Sequence, residues 1–397
     1  MTLAMTADFV KEMLASEGGV LYFPNCDWLF PNGLKIDNVM VTIGNLDIYW
    51  YGFLIALGML LAMIYGYRKL EKWGLEPDRF TDTALVGLIG GIIGARLYYV
   101  VFSIDKYMSA DGTLNLASVF AIRDGGLAIY GGIIGALIFG CTMAKIRKVR
   151  LAPLLDLVGL GLLIGQTLGR WGNFFNQEAF GAKTTLPWGM TSKSILEYLY
   201  YNVYYPDANS VVTNRALDMV AHPCFLYESL WCLLGFVLLH TYSKHRKFDG
   251  EIFIMYIGWY GLGRFWIEGL RTDSLYIPGT EFRVSQVLAG TCVLFAIALY
   301  FIFRANVKKN TDYKLYVDTD ESKELLEMYY AKQKKSKNKT VNADDACETI
   351  LDPSVMDDTP EEDALAEEAV DEPAEESVEE SLEETAEEAT EEGLENE

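Results

Sequence analysis

Long apolar runs alternate with short polar connections along this chain, and the runs set its architecture. Seven of them lie at about 49–67, 83–103, 125–144, 151–169, 224–242, 251–270 and 284–303. Each approaches the roughly 20 residues that an α-helix needs to cross a bilayer. The connections are too short to supply the polar shell that a water-soluble protein with seven buried helices would require. The pattern predicts an all-α, polytopic membrane protein with seven transmembrane helices.

Basic residues collect in alternate connections and orient the spans. Arg68, Lys69, Lys72 and Arg79 follow the first run; Lys145, Arg147, Lys148 and Arg150 follow the third. Lys244, Arg246 and Lys247 follow the fifth, and Arg304, Lys308 and Lys309 follow the seventh. Lys and Arg favour the cytoplasmic side, which places the N-terminus outside and the C-terminus in the cytoplasm. Residues 1–48 lack the basic start and apolar core of a signal peptide and read as an external segment. Residues 49–304 then form the membrane domain, with an external insertion at about 171–222. Residues 305–340 form a basic juxtamembrane linker that mixes ESKELLEMYY with KQKKSKNK. It reads equally as a surface helix at the anionic inner leaflet or as a solvated connection.

Charge changes the picture in one respect. The 397 residues carry a net charge of −22, but 25 of the 55 acidic residues lie in 341–397, which has no Lys or Arg. The remainder is nearly balanced, with 30 acidic against 33 basic residues. A segment of EE units among Ala, Ser, Thr and Pro cannot bury enough apolar surface to offset its ordering, so the tail is expected to be disordered. Its partner is not legible.

Polar residues within spans are costly and usually face a cavity or a partner. Given the alternating topology, they fall near one level, toward the external face. Tyr51, Tyr130, His222, Tyr227 and Glu228 begin inward-running spans, while Arg96, Arg170, Tyr260, Arg264 and Glu268 end outward-running ones. Tyr260, Arg264 and Glu268 recur every four residues and share one helix face. Arg271 is expected to snorkel to headgroups and Asp156 to be structural. The repeated GGIIGA at 90–95 and 131–136 predicts close packing of the second and third spans. In GRWGNFFNQEAFG, at 169–181, the helix is expected to end and the chain to fold back at membrane depth. There Asn173 and Asn176 would cap backbone groups, and Arg170 and Glu178 would pair. The six cysteines and three histidines have no ligand spacing, so no metal is expected.

Arginines just beneath the outer headgroups suit a phosphate, because guanidinium offers planar paired donors and keeps its charge. That points to an enzyme or transporter acting on outer-leaflet phospholipid, with Arg96 and Asn176 among the groups expected to bind it. GRWGNFFNQEAFG resembles the signature of the bacterial prolipoprotein diacylglyceryl transferases. The likeness extends over about 45–305 through YWYG, GGIIGARLYYV, GGLAIYGGIIG, HPCFLYES and YGLGRFWIEGLR. It implies transfer of the diacylglyceryl group of phosphatidylglycerol to a lipobox cysteine of a preprolipoprotein, at the outer face of the cytoplasmic membrane. Glycerol phosphate is released, no cofactor is needed, and no nucleic-acid partner is expected.

The resemblance assigns functional positions to Arg170, Asn173, Glu178 and Gly181 in the signature, and to Tyr51, Tyr260, Arg264 and Glu268 in the first and sixth spans. Arg170 and Arg264 would hold the phosphate and its developing charge, while Glu178 and Glu268 would orient them or accept a proton. Tyr130 departs from the pattern, standing where many family members carry histidine. With an ordinary pKa of about 10 it is a poor general base, so it is expected to position lipid. The rival reading is a phospholipid or solute transporter with an arginine-lined outer site, which would predict inverted repeats and broken helices near the midplane.

Overall fold

The computed structural model describes residues 7–350 except 17, 27, 29, 109–112, 122–124, 200–218 and 273. After a short helix α1 (Ala7–Ala15), the long helices are α2 (Trp50–Lys69), α3 (Pro77–Phe102), α5 (Ile129–Ile146), α6 (Leu151–Phe175), α8 (Cys224–Tyr242), α9 (Glu251–Leu270) and α10 (Val284–Lys309). Between them lie the short α4 (Leu116–Phe120) and α7 (Lys193–Glu197), and α11 (Asp320–Ile350) follows. Six of the long helices are long and apolar enough to cross a membrane, the makeup of a multi-pass membrane protein. The seventh expected span, α9, falls outside that set: its 20 residues carry Glu251, Arg264 and Glu268 and four glycines.

Their end contacts show that α2 and α3 run in opposite directions, as do α9 and α10, while α6 and α9 run the same way. Near the end of α2, Gly66 packs on Phe80 at the start of α3. The Asp156 carboxylate, near the start of α6, accepts from the Gly250 and Phe253 amides at 2.7 and 2.8 Å, capping the start of α9. A buried carboxylate there satisfies amides that have no partner within the helix, the structural role expected of Asp156. At the opposite end of α9, the Phe265 carbonyl accepts from Gln286 of α10.

Small residues set the closest approaches. A Cβ at Gly94 would run into the Gly131 carbonyl, and one at Gly135 into that of Gly90, so the two GGIIGA segments pack backbone to backbone. α2 meets α6 where a Cβ on Gly58 would lie 3.1 Å from the Gly165 Cα. Between α8 and α9, Trp231 and Trp259 stack at 4.3 Å, each indole donating to the other's carbonyl at 2.9 and 3.0 Å.

Two regions differ from the all-α expectation. In VTIGNLDIY, alternation flanks a Gly44–Asn45 turn, and β3 (Val39–Ile43) pairs with β4 (Leu46–Tyr49) as an antiparallel hairpin. Its first turn residue, Gly44, has φ +62, the conformation glycine supplies in a two-residue hairpin turn. Upstream, β1 (Val20–Leu21) pairs with β2 (Leu34–Lys35), and Tyr22 bridges to Thr191 in the insertion. Val10, Met13, Leu21 and Ile36 share one core with Phe180, Met190, Ile195 and Leu196. The N-terminal segment and the α6–α8 connection, which carries the insertion, thus share one small core.

The linker region is helical from Asp320 on. α10 extends to Lys309, and residues 313–330 carry bonds to the bundle while many of their side chains stay exposed. The Tyr316 amide donates to Asp249 at 2.8 Å, Ser322 to the Gly74 carbonyl at 2.9 Å, and Tyr330 to Glu71, while Arg150 pairs with Glu321 at 2.7 Å. Burial raises the Asp249 carboxyl above its usual value, against the lowering effect of the Tyr316 amide, Arg246 and Tyr313. Helix α11 continues ten residues into the segment expected to be disordered. The rest of that segment, 351–397, lies outside the described residues.

Candidate active site

Three helices bring charged groups to the end of the bundle opposite Asp156: Arg170 from the last turns of α6, Glu228 from the start of α8, and Arg264 and Glu268 from the last turns of α9. The Arg264 Nη1 donates to Glu228 Oε1 at 3.0 Å, and its Nη2 to Glu268 Oε2 at 2.7 Å. Arg170 Nη2 lies 2.7 Å from the other Glu228 oxygen, a charge contact without hydrogen-bond alignment. Arg271 reaches the same carboxylate at 3.7 Å. The Glu228 and Glu268 side chains are 3 % and 4 % exposed, while Arg170 and Arg264 keep 21 %. The carboxylates are sealed behind guanidiniums that solvent or a ligand can still reach. Glu268 is held further by Ser274 at 2.9 Å, and Arg283 donates to its backbone carbonyl.

The backbone explains the convergence. Helix α6 runs through Arg170 and Asn173 to Phe175, so the fold-back begins two turns later than the sequence suggests. It turns through Gln177 and Ala179, both left-handed at φ 52 and 56. The Gly181 amide then donates to the His222 carbonyl at 2.8 Å and the Ala182 amide to Leu270 at 2.6 Å. These bonds tie the ends of α6 and α9 to the start of α8. Gly181 must be glycine on packing grounds: a Cβ there would meet Cys224 and His222 at 2.8 Å and the Leu270 carbonyl at 2.9 Å. Likewise, Tyr51 lies flat where a Gly172 Cβ would stand. Tyr260 stacks on Tyr256 at 6.0 Å and lines a crevice of about 10 Å³ with Glu228, Cys232 and Arg264. That is room for about one water molecule.

Several expected contacts are replaced by others. Glu178 does not pair with Arg170; it accepts from Asn173 at 2.9 Å and Asn176 at 3.3 Å, so the two asparagines hold a carboxylate instead of capping backbone. Arg96 is engaged by backbone. Its guanidinium donates to the carbonyls of Val119, Gly125, Gly126, Ser118 and Ala121 at 2.5–3.2 Å and lies over the Tyr107 ring. All five N–H donors are used in pinning the loop between α3 and α5. Tyr130, in the first turn of α5, is 62 % exposed and makes no side-chain hydrogen bond among the described residues.

Sequence reasoning placed Glu228 at the right level but missed its role as the shared partner. The available signal was charge balance: Arg170, Arg264 and Arg271 need more carboxylate at that level than Glu268 supplies. Arg271 does not snorkel; its side chain is 13 % exposed. His222 bonds to Tyr227 at 3.1 Å, and burial holds its imidazole below the usual pKa.

Residues 38–302, which include every member of this cluster, match the family described as prolipoprotein diacylglyceryl transferase. The chain belongs to that family. It is 38 % identical to the phosphatidylglycerol–prolipoprotein diacylglyceryl transferase of Geobacillus kaustophilus (strain HTA426), over 68 % of this chain and 93 % of the relative. It is 39 % identical to the proteins of that name from Bacillus cereus (strain 03BB102) and Bacillus anthracis, with the same coverage.

Proposed function

We infer that this chain transfers the diacylglyceryl group of phosphatidylglycerol to the cysteine thiol of prolipoproteins. The observation that carries this is the family match across 38–302, the stretch that supplies Arg170, Glu228, Arg264 and Glu268. In this reading α9 is the seventh span, its charges neutralised within the bundle. The arginine end faces outward and the ends rich in Lys and Arg face the cytoplasm.

The chemistry requires sulfur to attack a glycerol carbon as its C–O bond to phosphate breaks. An S–C bond forms, and glycerol phosphate leaves as an anion. Arg170 and Arg264 receive the phosphate on the donors that Glu228 leaves free, and they stabilise the charge as the bond breaks. Glu228 and Glu268 fix both guanidiniums before the lipid arrives, so no reorganisation is needed at the moment of reaction. A thiol with pKa about 8.5 is mostly protonated near neutral pH, so its proton must be accepted. Glu178, bonded by two carboxamides and exposed, is the carboxylate placed to take it, directly or through water. Tyr51 and Tyr260 flank the lipid, and Tyr130 packs on it from α5. Gly181 and Arg96 act by shaping the surrounding loops.

The test is direct. Purified full-length protein is incubated with phosphatidylglycerol vesicles and a lipobox peptide, and the peptide mass and released phosphate are followed. A diacylglyceryl thioether on cysteine with equimolar glycerol phosphate supports the reading. An unmodified peptide, with lipid merely moved between leaflets, would favour a transporter.

A further inference from the structure

A second charged concavity lies at the other end of the bundle, around 190 Å³ in volume and lined by Tyr65, Lys69, Lys72, Trp73, His240, Ser243, Lys244 and Arg246. Four cations meet there and no carboxylate lines it. Among the described residues the three lysines have no ion-pair partner; Glu71 is engaged by Tyr330, while Asp249, Asp156 and Asp318 act electrostatically on Arg246 from behind the wall. Arg246 is fixed in the wall. Its guanidinium lies 4.0 Å from the Trp73 ring centroid and donates to Lys72 and Ser243 carbonyls at 3.0 and 3.3 Å, while its buried Nε has no hydrogen-bond partner among the described residues. Tyr65 and His240 add a hydroxyl and an imidazole joined at 2.6 Å.

We propose that this concavity is a second anion site, which binds one phosphate ester at the cytoplasmic membrane surface, separate from the phosphate site of the transfer reaction. The proposal rests on the orientation given above, which sets the concavity at the level of inner-leaflet headgroups. Three ammonium groups without an ion pair among the described residues, a fixed guanidinium, a phenol and an imidazole form a polar set suited to a phosphate oxygen cluster. A concavity of this size suits one compact headgroup rather than a long acidic segment, which would need an extended groove. The same chemistry accommodates an anionic phospholipid of the inner leaflet or a soluble glycerol phosphate. A ligand there would bridge the ends of α2 and α8, on the face where residues 313–330 dock.

The test uses native mass spectrometry of the full-length protein released from nanodiscs of phosphatidylglycerol or phosphatidylcholine. Wild type is compared with the Lys69→Gln/Lys72→Gln/Lys244→Gln variant, with circular dichroism and melting to establish folding. Each lysine near an anionic headgroup contributes about fivefold in affinity, so the variant should bind one anionic lipid about a hundredfold more weakly. Loss of one phosphatidylglycerol, with no retention of phosphatidylcholine by wild type, supports a lipid source. Saturable glycerol phosphate binding that the variant lacks, without a difference in lipid count, supports the soluble source. Equal binding of both probes by the two proteins would overturn the proposal. So would phosphate binding that appears only after residues 341–397 are removed, since the tail would then be the occupant. Transfer to a lipobox peptide, assayed in parallel, reports separately on the outer site.

Discussion

Replacing Glu228 by glutamine removes the carboxylate that Arg170, Arg264 and Arg271 share at 2.7, 3.0 and 3.7 Å. At about 4 Å and an effective dielectric constant near 20, one such pair is worth about 4 kcal/mol before desolvation. Most of that attraction offsets the cost of burying the charges, so the net loss is better taken from buried pairs that lose one partner, about 3–5 kcal/mol. Glutamine keeps one acceptor oxygen but turns an amide toward a guanidinium and leaves three like charges adjacent. The expected fall in melting temperature is on the order of 10 °C, read by circular dichroism in detergent. Activity should fall further than stability explains. Misplacing two phosphate-binding groups should lower kcat/KM for phosphatidylglycerol by a factor on the order of 10²–10³ at temperatures where the variant is folded. Glu228→Asp keeps the charge but shortens the reach, and should recover more of the stability than of the activity. A glutamine variant with wild-type melting and turnover would refute the reasoning.

Tyr130→Phe should retain most turnover, within about tenfold, because an exposed phenol without hydrogen bonds is not the general base; a loss of 10³-fold or more with lipid binding intact would contradict this. Gly135→Val should split α3 from α5, since the new side chain meets the Gly90 carbonyl, and the change is expected to lower melting by more than 5 °C on the order of an overpacked core. His222 should make stability pH-dependent. Its folded pKa is depressed by burial, so its contribution is full above the unfolded value near 6.5 and is lost as pH falls through the folded one. Wild type should therefore lose melting temperature relative to His222→Gln between pH 7.5 and 5.5, and a constant difference would count against it.

Six long apolar helices were legible because the bilayer imposes a length and a composition that few other structures share. Alternating basic connections ordered their directions, and the doubled GGIIGA announced the α3–α5 contact through small residues alone. The level of the charged groups was legible for the same reason: an ionisable residue in an apolar run is conspicuous. Their partners were not. Pairing Arg170 with Glu178 followed proximity in sequence, whereas the actual partner, Glu228, comes from another helix 58 positions on. The five carbonyl partners of Arg96 were not legible, because they come from the short α4 and the segment after it, which leave no pattern pointing back to α3. The docking of residues 313–330 rests on scattered bonds to Gly74, Asp249 and Glu71, none of which leaves a pattern in the chain.

The central claim is that the guanidiniums of Arg170 and Arg264 jointly hold the phosphate of the lipid donor. A structure of the protein with a phosphatidylglycerol analogue that resists transfer measures this directly. The account predicts phosphate oxygens within about 3 Å of nitrogens from both arginines, with the Glu228 contacts retained behind them. A phosphate held elsewhere, with both arginines still closed onto Glu228, would contradict it.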